Sequence, residues 1–407
     1  MVSNKLKKGL ALSGGGFRAT LYALGSLWRM NEDGLLTELD TITSVSGGSI
    51  AVGLLMLKWE ELAFEEIDAS QGRYRATNFK EVIADPLITF CSQTITSMSR
   101  IILHTLNPKT TAATEVRKKY ETLLFGGTRL CDIPDHPLAP EFIFYGTNLD
   151  TGASVRISKR EIRDYHIGSA SEHGITLAQA ISISSGFPPF LAPIRLCGRN
   201  WTWSDTSYSR IPAEQVYQFR ERLDLCDGGL YDNMGLEMIW KHGADKEYDS
   251  VFCCDAGALL PVPWGGWLKA VKSKFGLSLR MTDIMINQQR ALRKRTLMRN
   301  YITGEYNGGY WSISSQVKNF QIIDPLLSNS EAEQYSHLSN LGTQLKGFSD
   351  IDNQMLVNLG FCHSDMSIRL NYNKTLTRPS LPFDINNDKD SAIDAVSEIN
   401  KESSIGI

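Results

Sequence analysis

The sequence predicts an α/β protein built around a mostly parallel sheet, and three observations support this. First, residues 6–13 form a short apolar segment that ends in three glycines and precedes residues with helical spacing. Second, the same order of strand, glycine turn and helix recurs from residue 40 onward. Third, residues 250–254 are apolar on both faces, as expected of a parallel strand covered by helices. Repeated units of this kind are typical of α/β proteins.

The individual elements follow from hydrophobic spacing and β-branched residues. Residues 19–31 carry Leu21, Leu24, Leu27 and Trp28 at helical spacing, which predicts the first helix. A second strand and a second, buried helix are predicted at 40–45 and 50–59, and further strands at 141–145 and 154–157.

The rest of the chain is less regular. We predict one domain over residues 1–370 with a helical insertion at about 60–130, and a polar, poorly ordered tail at 371–407. Within the insertion, residues 87–106 have amphipathic helical spacing, which fits either a lid over a binding pocket or plain core packing.

Composition limits the partners and the compartment. With 42 basic and 45 acidic side chains the net charge is −3, so nothing global indicates a nucleic-acid partner. The seven cysteines lack metal-ligand spacing and predict reduced thiols. The basic N-terminus is followed by an apolar stretch that stops at Gly14, and no apolar run is long enough to cross a bilayer. We therefore expect a cytoplasmic protein that meets membranes only at their surface, while the oligomeric state is left open.

A candidate nucleophile lies at the second strand-to-helix turn, in Ser44-Val45-Ser46-Gly47-Gly48. Such a sharp turn projects the hydroxyl of Ser46 clear of the sheet and requires small residues two positions before and after it. Ser44 stands where the usual GxSxG pattern has its first glycine. Ser49 is an alternative nucleophile, but the β-branched Ile50 after it would crowd the amide expected to bind an oxyanion. A simple Ser/Gly turn explains the segment on its own equally well.

A glycine-rich turn, Gly14-Gly15-Gly16, follows the first strand and precedes Phe17 and Arg18. Consecutive glycines at a helix N-terminus let backbone N–H groups converge on an oxyanion or a phosphate. Neither the P-loop pattern nor the GxGxxG spacing is present, which argues against a nucleotide loop. For Arg18 two interpretations remain open: contact with a substrate phosphate, and a structural role in fixing the turn.

The candidate acid is Asp227, which precedes Gly228 and Gly229. A serine triad requires a histidine after the acid, and the best placed of the three available, His363, has no supporting motif. A dyad removes this need, because the carboxylate itself accepts the serine proton. The rival acids lack the paired glycines that allow close approach to the nucleophile; they are Asp205, Asp224, Asp232 and Asp255.

Together and in this order, the glycine loop with Arg18, the Ser46 turn and Asp227-Gly228-Gly229 resemble the patatin-like phospholipases. Two further segments are similar to that family: residues 180–189, which are small and end in two prolines, and the continuation of Asp227 to Asn233. The resemblance covers roughly residues 6–255 and weakens up to about 370.

The resemblance implies a three-layer α/β/α patatin-like fold and a Ser46–Asp227 dyad acting through an acyl-enzyme, with neither metal nor other cofactor. It also implies an oxyanion hole made by Gly14, Gly15, Gly16 and Gly47. The expected activity is hydrolysis of fatty-acyl esters in phospholipids or lysophospholipids, and some bacterial members are membrane-degrading effectors. The alternatives are a broad lipid esterase or acyltransferase acting on neutral glycerides or thioesters, and a catalytically silent lipid-binding protein.

Two segments have the composition of a membrane contact. Trp264 and Trp267 lie in the loop 261–267, and the predicted helix at 269–300 has nine Lys or Arg against the single acid Asp283. Indoles favour the bilayer interface, and basic residues favour anionic headgroups. Core packing of the tryptophans and a solvated basic face explain the same residues.

Overall fold

The structure is a computed structural model that describes residues 6–96, 112–241, 246–257, 260, 274–322 and 324–385. Its strands are, in chain order, β1 Lys7–Leu12, β2 Thr41–Ser44, β3 Phe64–Asp68, β4 Arg73–Ala76, β5 Glu141–Asn148, β6 Ser154–Ile157, β7 Ile162–Asp164, β8 Gly168–Ser171, β9 Ile194–Leu196, β10 Thr202–Ser204, β11 Leu223–Asp227, β12 Tyr248–Asp255 and β13 Asn307–Ser312.

The α-helices alternate with these strands in the first half of the chain and dominate the second half. They are α1 Gly16–Glu32, α2 Gly47–Leu57, α3 Asp85–Cys91, α4 Ala112–Tyr120, α5 Leu177–Ser184, α6 Ala213–Glu221, α7 Gly229–Asp232, α8 Lys274–Ile302, α9 Asn329–Gln334 and α10 Asp350–Asn371. The predicted strands at 6–13, 40–45, 141–145, 154–157 and 250–254 all fall on observed strands.

One sheet of 11 strands organises the described chain, in the order β10-β8-β7-β6-β5-β2-β1-β12-β13, with β11 and β9 attached beside β5. The five strands from β5 to β13 are parallel, as predicted. The outer strands β6 to β11 are antiparallel to their neighbours. The predicted mostly parallel sheet is therefore confirmed for the centre, while the short hairpin strands add an antiparallel wing.

Helices cover both faces of the parallel part, which confirms the layered α/β architecture. Leu10 and Leu12 of β1 belong to the core formed with α1, α2, α5 and α10. Ala11 points to the opposite face and belongs to a second core that includes Leu297 of α8. This alternation is what a strand buried on both faces requires. It also places α8 on one side of the sheet and α1 with α10 on the other.

The described residues of the predicted insertion at 60–130 include both helices and strands. They contain the hairpin β3–β4 as well as α3 and α4. The helix predicted over 87–106 ends at Cys91, because Ile95 and Thr96 turn away and donate their backbone N–H groups to the Leu345 carbonyl. Residues 97–111 lie outside the described part of the chain.

The predicted tail falls partly within the described residues. Up to Ile385 the chain after α10 packs on the domain, with Phe383 against Trp28 at 5.9 Å between ring centroids and Ile385 buried. Residues 386–407 lie outside the described part, so the tail there stays a prediction. The Trp264–Trp267 loop also lies outside it. No helix among the described residues is long and apolar enough to span a bilayer.

Candidate active site

Ser46 occupies the turn between β2 and α2 in a strained backbone conformation. Its φ of 52° and ψ of −117° are unusual for a residue with a side chain. Strain of this kind is typical of a nucleophile held at the tip of a sharp strand-to-helix turn. The turn is tight, since a Cβ atom on Gly47 would lie 2.0 Å from the Gly16 carbonyl oxygen. The predicted position of Ser46 thus has the backbone geometry expected of an elbow serine.

A chain of buried hydroxyls lies beneath this turn. The Ser46 N–H donates to Ser184 Oγ at 3.0 Å, and Ser184 Oγ is 2.8 Å from Ser49 Oγ. Ser49 Oγ in turn donates to Ser44 Oγ at 3.0 Å, and Ser44 Oγ donates to the Ile143 carbonyl at 3.2 Å. Ser44 therefore fills the first-glycine position with a fully satisfied hydroxyl. Ser49 is fully buried within this network and does not line the cavity beside Ser46, which favours Ser46 over Ser49 as the candidate nucleophile.

Two helix N-termini meet beside Ser46. α1 begins at Gly16 and α2 at Gly47, and the clash distances around Gly47 show that the two backbones are in contact. The first amides of a helix have no partner within it, and they carry the positive end of its dipole. Gly15 and Gly16 adopt φ values of 145° and 60°, which glycine tolerates best. Gly15, Gly16 and Gly47 can therefore supply N–H donors to an oxyanion.

Gly14 plays a different part from the one predicted. Its N–H donates to the Asn233 carbonyl at 3.0 Å and is thereby engaged. A Cβ atom at this position would lie 2.4 Å from Asn233 Oδ1 and 3.1 Å from the Cβ of Ser46. Gly14 is required for close packing against the nucleophile, whereas its amide is a poor candidate for the oxyanion hole.

Asp227 is the last residue of β11 and contacts Ser46. Its carboxyl group accepts a hydrogen bond from the Gly229 N–H at 2.7 Å and lies beside the Ser46 side chain in the same cavity. The residue is 3% exposed. Burial raises the pKa of this carboxyl to about 7, although the interactions with Gly229 and Ser46 lower it. The paired glycines allow the approach, since a Cβ on Gly228 would lie 2.6 Å from the Tyr145 carbonyl oxygen.

The rival acids are all engaged in ion pairs elsewhere. Asp205 pairs with Arg220, Asp224 with Arg195 and Arg222, Asp232 with Arg293, and Asp255 with Arg290. His363 is buried between α1 and α10, with Nδ1 2.8 Å from the Tyr22 hydroxyl, and burial lowers its pKa to about 4. None of these four acids lines the cavity that holds Ser46, and His363 does not line it either.

Arg18 points away from this cavity. The guanidinium is fully buried and donates to the carbonyls of Ser339, Leu341 and Ala256 at 3.0, 2.6 and 2.9 Å. Burial lowers its pKa to about 10. These contacts tie the first turn of α1 to two distant segments and favour the structural interpretation of Arg18 over contact with a substrate phosphate.

A cavity of about 320 Å³ opens over Ser46 and Asp227. Its lining has an apolar part, which includes Phe187, Phe190 and Leu191, and a polar part, which includes Asp283, Asn287 and Arg290 of α8. The sequence analysis missed this polar part, because nothing in the local pattern of a basic helix shows which of its residues face a site. It also missed that Asn233 lines the cavity. The segment from Asp227 to Asn233 resembles a segment of the family, and that resemblance could have indicated this residue. Among the described residues no cluster of His, Cys, Asp or Glu is suited to a metal.

An elbow serine, a buried carboxyl and convergent helix N-termini on an α/β sheet are features of serine hydrolases. The sequence model of one such family, Patatin-like phospholipase, matches residues 10–240, which is more than half of the chain. The chain belongs to this family, and the predicted resemblance is confirmed. A comparison with curated protein sequences finds no match.

Solved structures support the fold. Human GIVD cytosolic phospholipase A2 is 14% identical over 89% of this chain and 59% of that chain, with a TM-score of 0.50. The same human enzyme in complex with methyl gamma-linolenyl fluorophosphonate and terbium chloride is 12% identical over 90% of this chain and 58% of that chain, with a TM-score of 0.51. The present chain thus spans less than two thirds of these neighbours, and the likeness shows a shared fold.

Proposed function

We propose that the chain hydrolyses fatty-acyl esters of phospholipids or lysophospholipids, with Ser46 as nucleophile and Asp227 as the base. The observation that carries the proposal is a strained elbow serine that shares one cavity with a buried carboxyl, whose pKa burial raises to about 7. A general base is most effective when its pKa is near the working pH. The apolar part of the cavity supplies a place for an acyl chain.

In the first half-reaction, Ser46 Oγ attacks the ester carbonyl carbon while its proton passes to Asp227. The amides of Gly15, Gly16 and Gly47 stabilise the resulting oxyanion. Collapse of the tetrahedral intermediate breaks the bond to the lysolipid or glycerol oxygen, which takes the proton from Asp227. A water molecule then attacks the acyl-enzyme, giving its proton to Asp227, and the proton returns to Ser46 as the fatty acid leaves.

The dyad is tested with Ser46→Ala and Asp227→Asn in assays of fatty-acid release from mixed phospholipid vesicles. We expect each variant to lower kcat by about a thousandfold or more with the fold intact, since the members of a catalytic unit act together. Asp224→Asn, on the same strand and paired at the surface, is the matched control and keeps activity. Mass spectrometry of the products, run against neutral glycerides and thioesters, identifies the substrate class. Full activity in either dyad variant would contradict the assignment.

Two further measurements address the same dyad. Activity should rise with pH through about 7, because Asp227 accepts the proton only when ionised, and a flat profile between mildly acidic and mildly basic pH would count against it. The human neighbour is described in complex with a fluorophosphonate. We expect a fluorophosphonate probe to label Ser46 here, and a lack of labelling would favour a catalytically silent lipid-binding protein.

A further inference from the structure

The outward face of α8 is unusually apolar. Of the fifteen exposed large hydrophobic side chains among the described residues, seven lie on this one helix. They are Leu277, Met281, Ile284, Met285, Leu292, Met298 and Ile302. Among them, Met281 is 54% exposed, Met285 61% and Leu292 58%. Exposed apolar side chains scattered singly need no explanation, but a cluster of this kind marks an interaction surface.

Spacing places these residues on a single stripe. Leu277, Met281 and Met285 follow at intervals of four, and Leu292 follows after seven, so their side chains point the same way. Arg295 and Arg299 extend the stripe at further intervals of three and four, and both are exposed. We call these six residues the docking face.

The opposite face of α8 is turned toward the protein. Leu297 is fully buried in the second core, and Arg293 pairs with Asp232 and Glu237. Asp283 and Arg290 line the cavity over Ser46. The helix thus reverses the usual amphipathic arrangement, with ion pairs inside and apolar side chains outside. Ordinary solvation does not account for such a pattern.

Charge indicates what covers the docking face. Between Lys274 and Ile302 the only acid is Asp283, which lines the cavity and so does not oppose the exposed Arg295 and Arg299. Binding of a helix at the surface of a bilayer requires exposed large apolar side chains, which enter the headgroup boundary, and nearby basic residues, which anionic headgroups attract. The docking face meets both conditions.

We propose that the docking face of α8 binds an anionic membrane surface, with the helix lying along the interface. The same helix forms one wall of the cavity, so binding there places the cavity next to the lipid. The proposal rests on the proposed function in one respect, namely that the substrate resides in a membrane. A second copy of the chain is the competing occupant, and the lack of acids on this face offers its arginines no complementary charge there.

The test is cosedimentation with vesicles of phosphatidylcholine, with and without phosphatidylglycerol, in a Ser46→Ala background that prevents hydrolysis. We expect Met281→Ser/Met285→Ser/Leu292→Ser to weaken vesicle binding by about tenfold or more. Arg295→Gln/Arg299→Gln should weaken binding to phosphatidylglycerol vesicles by about tenfold and have little effect on pure phosphatidylcholine. Leu123→Ser/Leu149→Ser removes two apolar side chains elsewhere that are 45% and 42% exposed, and it is the matched control.

Unchanged vesicle binding in the triple variant overturns the proposal, as does an equal loss in the Leu123/Leu149 control. A change from dimer to monomer in the triple variant, seen by light scattering without vesicles, identifies a second copy as the occupant and also overturns it. Failure of the proposed function has a different signature, in which the protein with Ser46 intact binds vesicles through the docking face but releases no fatty acid.

Discussion

At the scale of single residues, the hydroxyl of Ser184 is a contact that holds Ser46, the proposed nucleophile, in its turn. It accepts the N–H of Ser46 and reaches Ser49, so it holds a strained turn in place. Ser184 does not line the cavity over Ser46, so we assign it as a positioning residue that acts through Ser46. Its loss should affect the geometry of Ser46 more than the stability of the fold.

We predict that Ser184→Ala lowers kcat by about tenfold through a less well-placed Ser46, because it leaves the Ser46 amide without its partner. Ser182→Ala is the matched control, since Ser182 lies on the same helix and its buried hydroxyl has no hydrogen-bond partner among the described residues. The measurement is steady-state kinetics on a soluble ester together with a thermal melt. Equal kinetics in the two variants would contradict the role given to Ser184.

The sequence was informative about the residues proposed as catalytic and silent about those that contact and position them. Ser46 and Asp227 lie next to glycines, and the need for small residues at a tight turn or close approach explains the spacing of those glycines. Ser184 lies in a segment that also contains Ser182 and Ser185, and no local pattern distinguishes it from them. Only the packing of α5 against the Ser46 turn does so. The engaged amide of Gly14 depends on Asn233, a residue more than two hundred positions away. A contact between residues so far apart in the sequence leaves no pattern in the residues around either of them.

At the scale of elements, α1 and α10 cross with their backbones in contact. A Cβ on Gly25 would lie 1.9 Å from the Val357 carbonyl oxygen, and a Cβ on Gly360 would lie 2.0 Å from that of Tyr22. The close approach also permits the buried ion pair between Arg29 and Asp365 at 2.8 Å. This crossing anchors the helix that begins in the glycine loop.

We predict that Gly360→Ala lowers the free energy of unfolding by roughly 1–3 kcal/mol, because the added methyl group forces the two helices apart. Gly127→Ala, where the methyl group meets no atom within 4 Å, is the control. The denaturant midpoint measures both. If Gly360→Ala proves no less stable than the control, the helices do not depend on this contact.

Elements with a regular spacing of hydrophobic residues could be predicted from the sequence, whereas irregular elements could not. The parallel strands are apolar runs with glycine turns, which is a strong local pattern. Strands β7 to β10 have only three or four residues each and are held by antiparallel neighbours, so their sequences carry little period. The helix predicted at 87–106 ends early because a tertiary hydrogen bond to Leu345 competes with the helical one.

At the scale of the whole molecule, the fold extends well beyond the residues that match the family. The match ends at residue 240, yet β12 pairs with β1 over its whole length and lies between β1 and β13. α10 covers α1, and α8 closes the second face. The second half of the chain is therefore part of the same core.

We predict that a chain ending at residue 240 does not fold, because β1 would lose a neighbour and both cores would lose a helix. A chain ending at residue 385 keeps every described element and should retain wild-type stability and activity. Soluble yield and cooperative thermal unfolding measure the difference. Cooperative unfolding of the shorter chain would show that the first half is a domain by itself.

The central place of β1 has a consequence for the newly made protein. β1 ends at Leu12 and its partner β12 begins at Tyr248, so roughly 235 residues separate them, or about ten to fifty seconds of synthesis. During that interval one edge of β1 has no partner strand. The side chains of Leu10 and Leu12 on this strand are fully buried in the finished protein. The chain ending at residue 240 corresponds to this intermediate. Its binding of a hydrophobic dye measures how much apolar surface the intermediate exposes during synthesis.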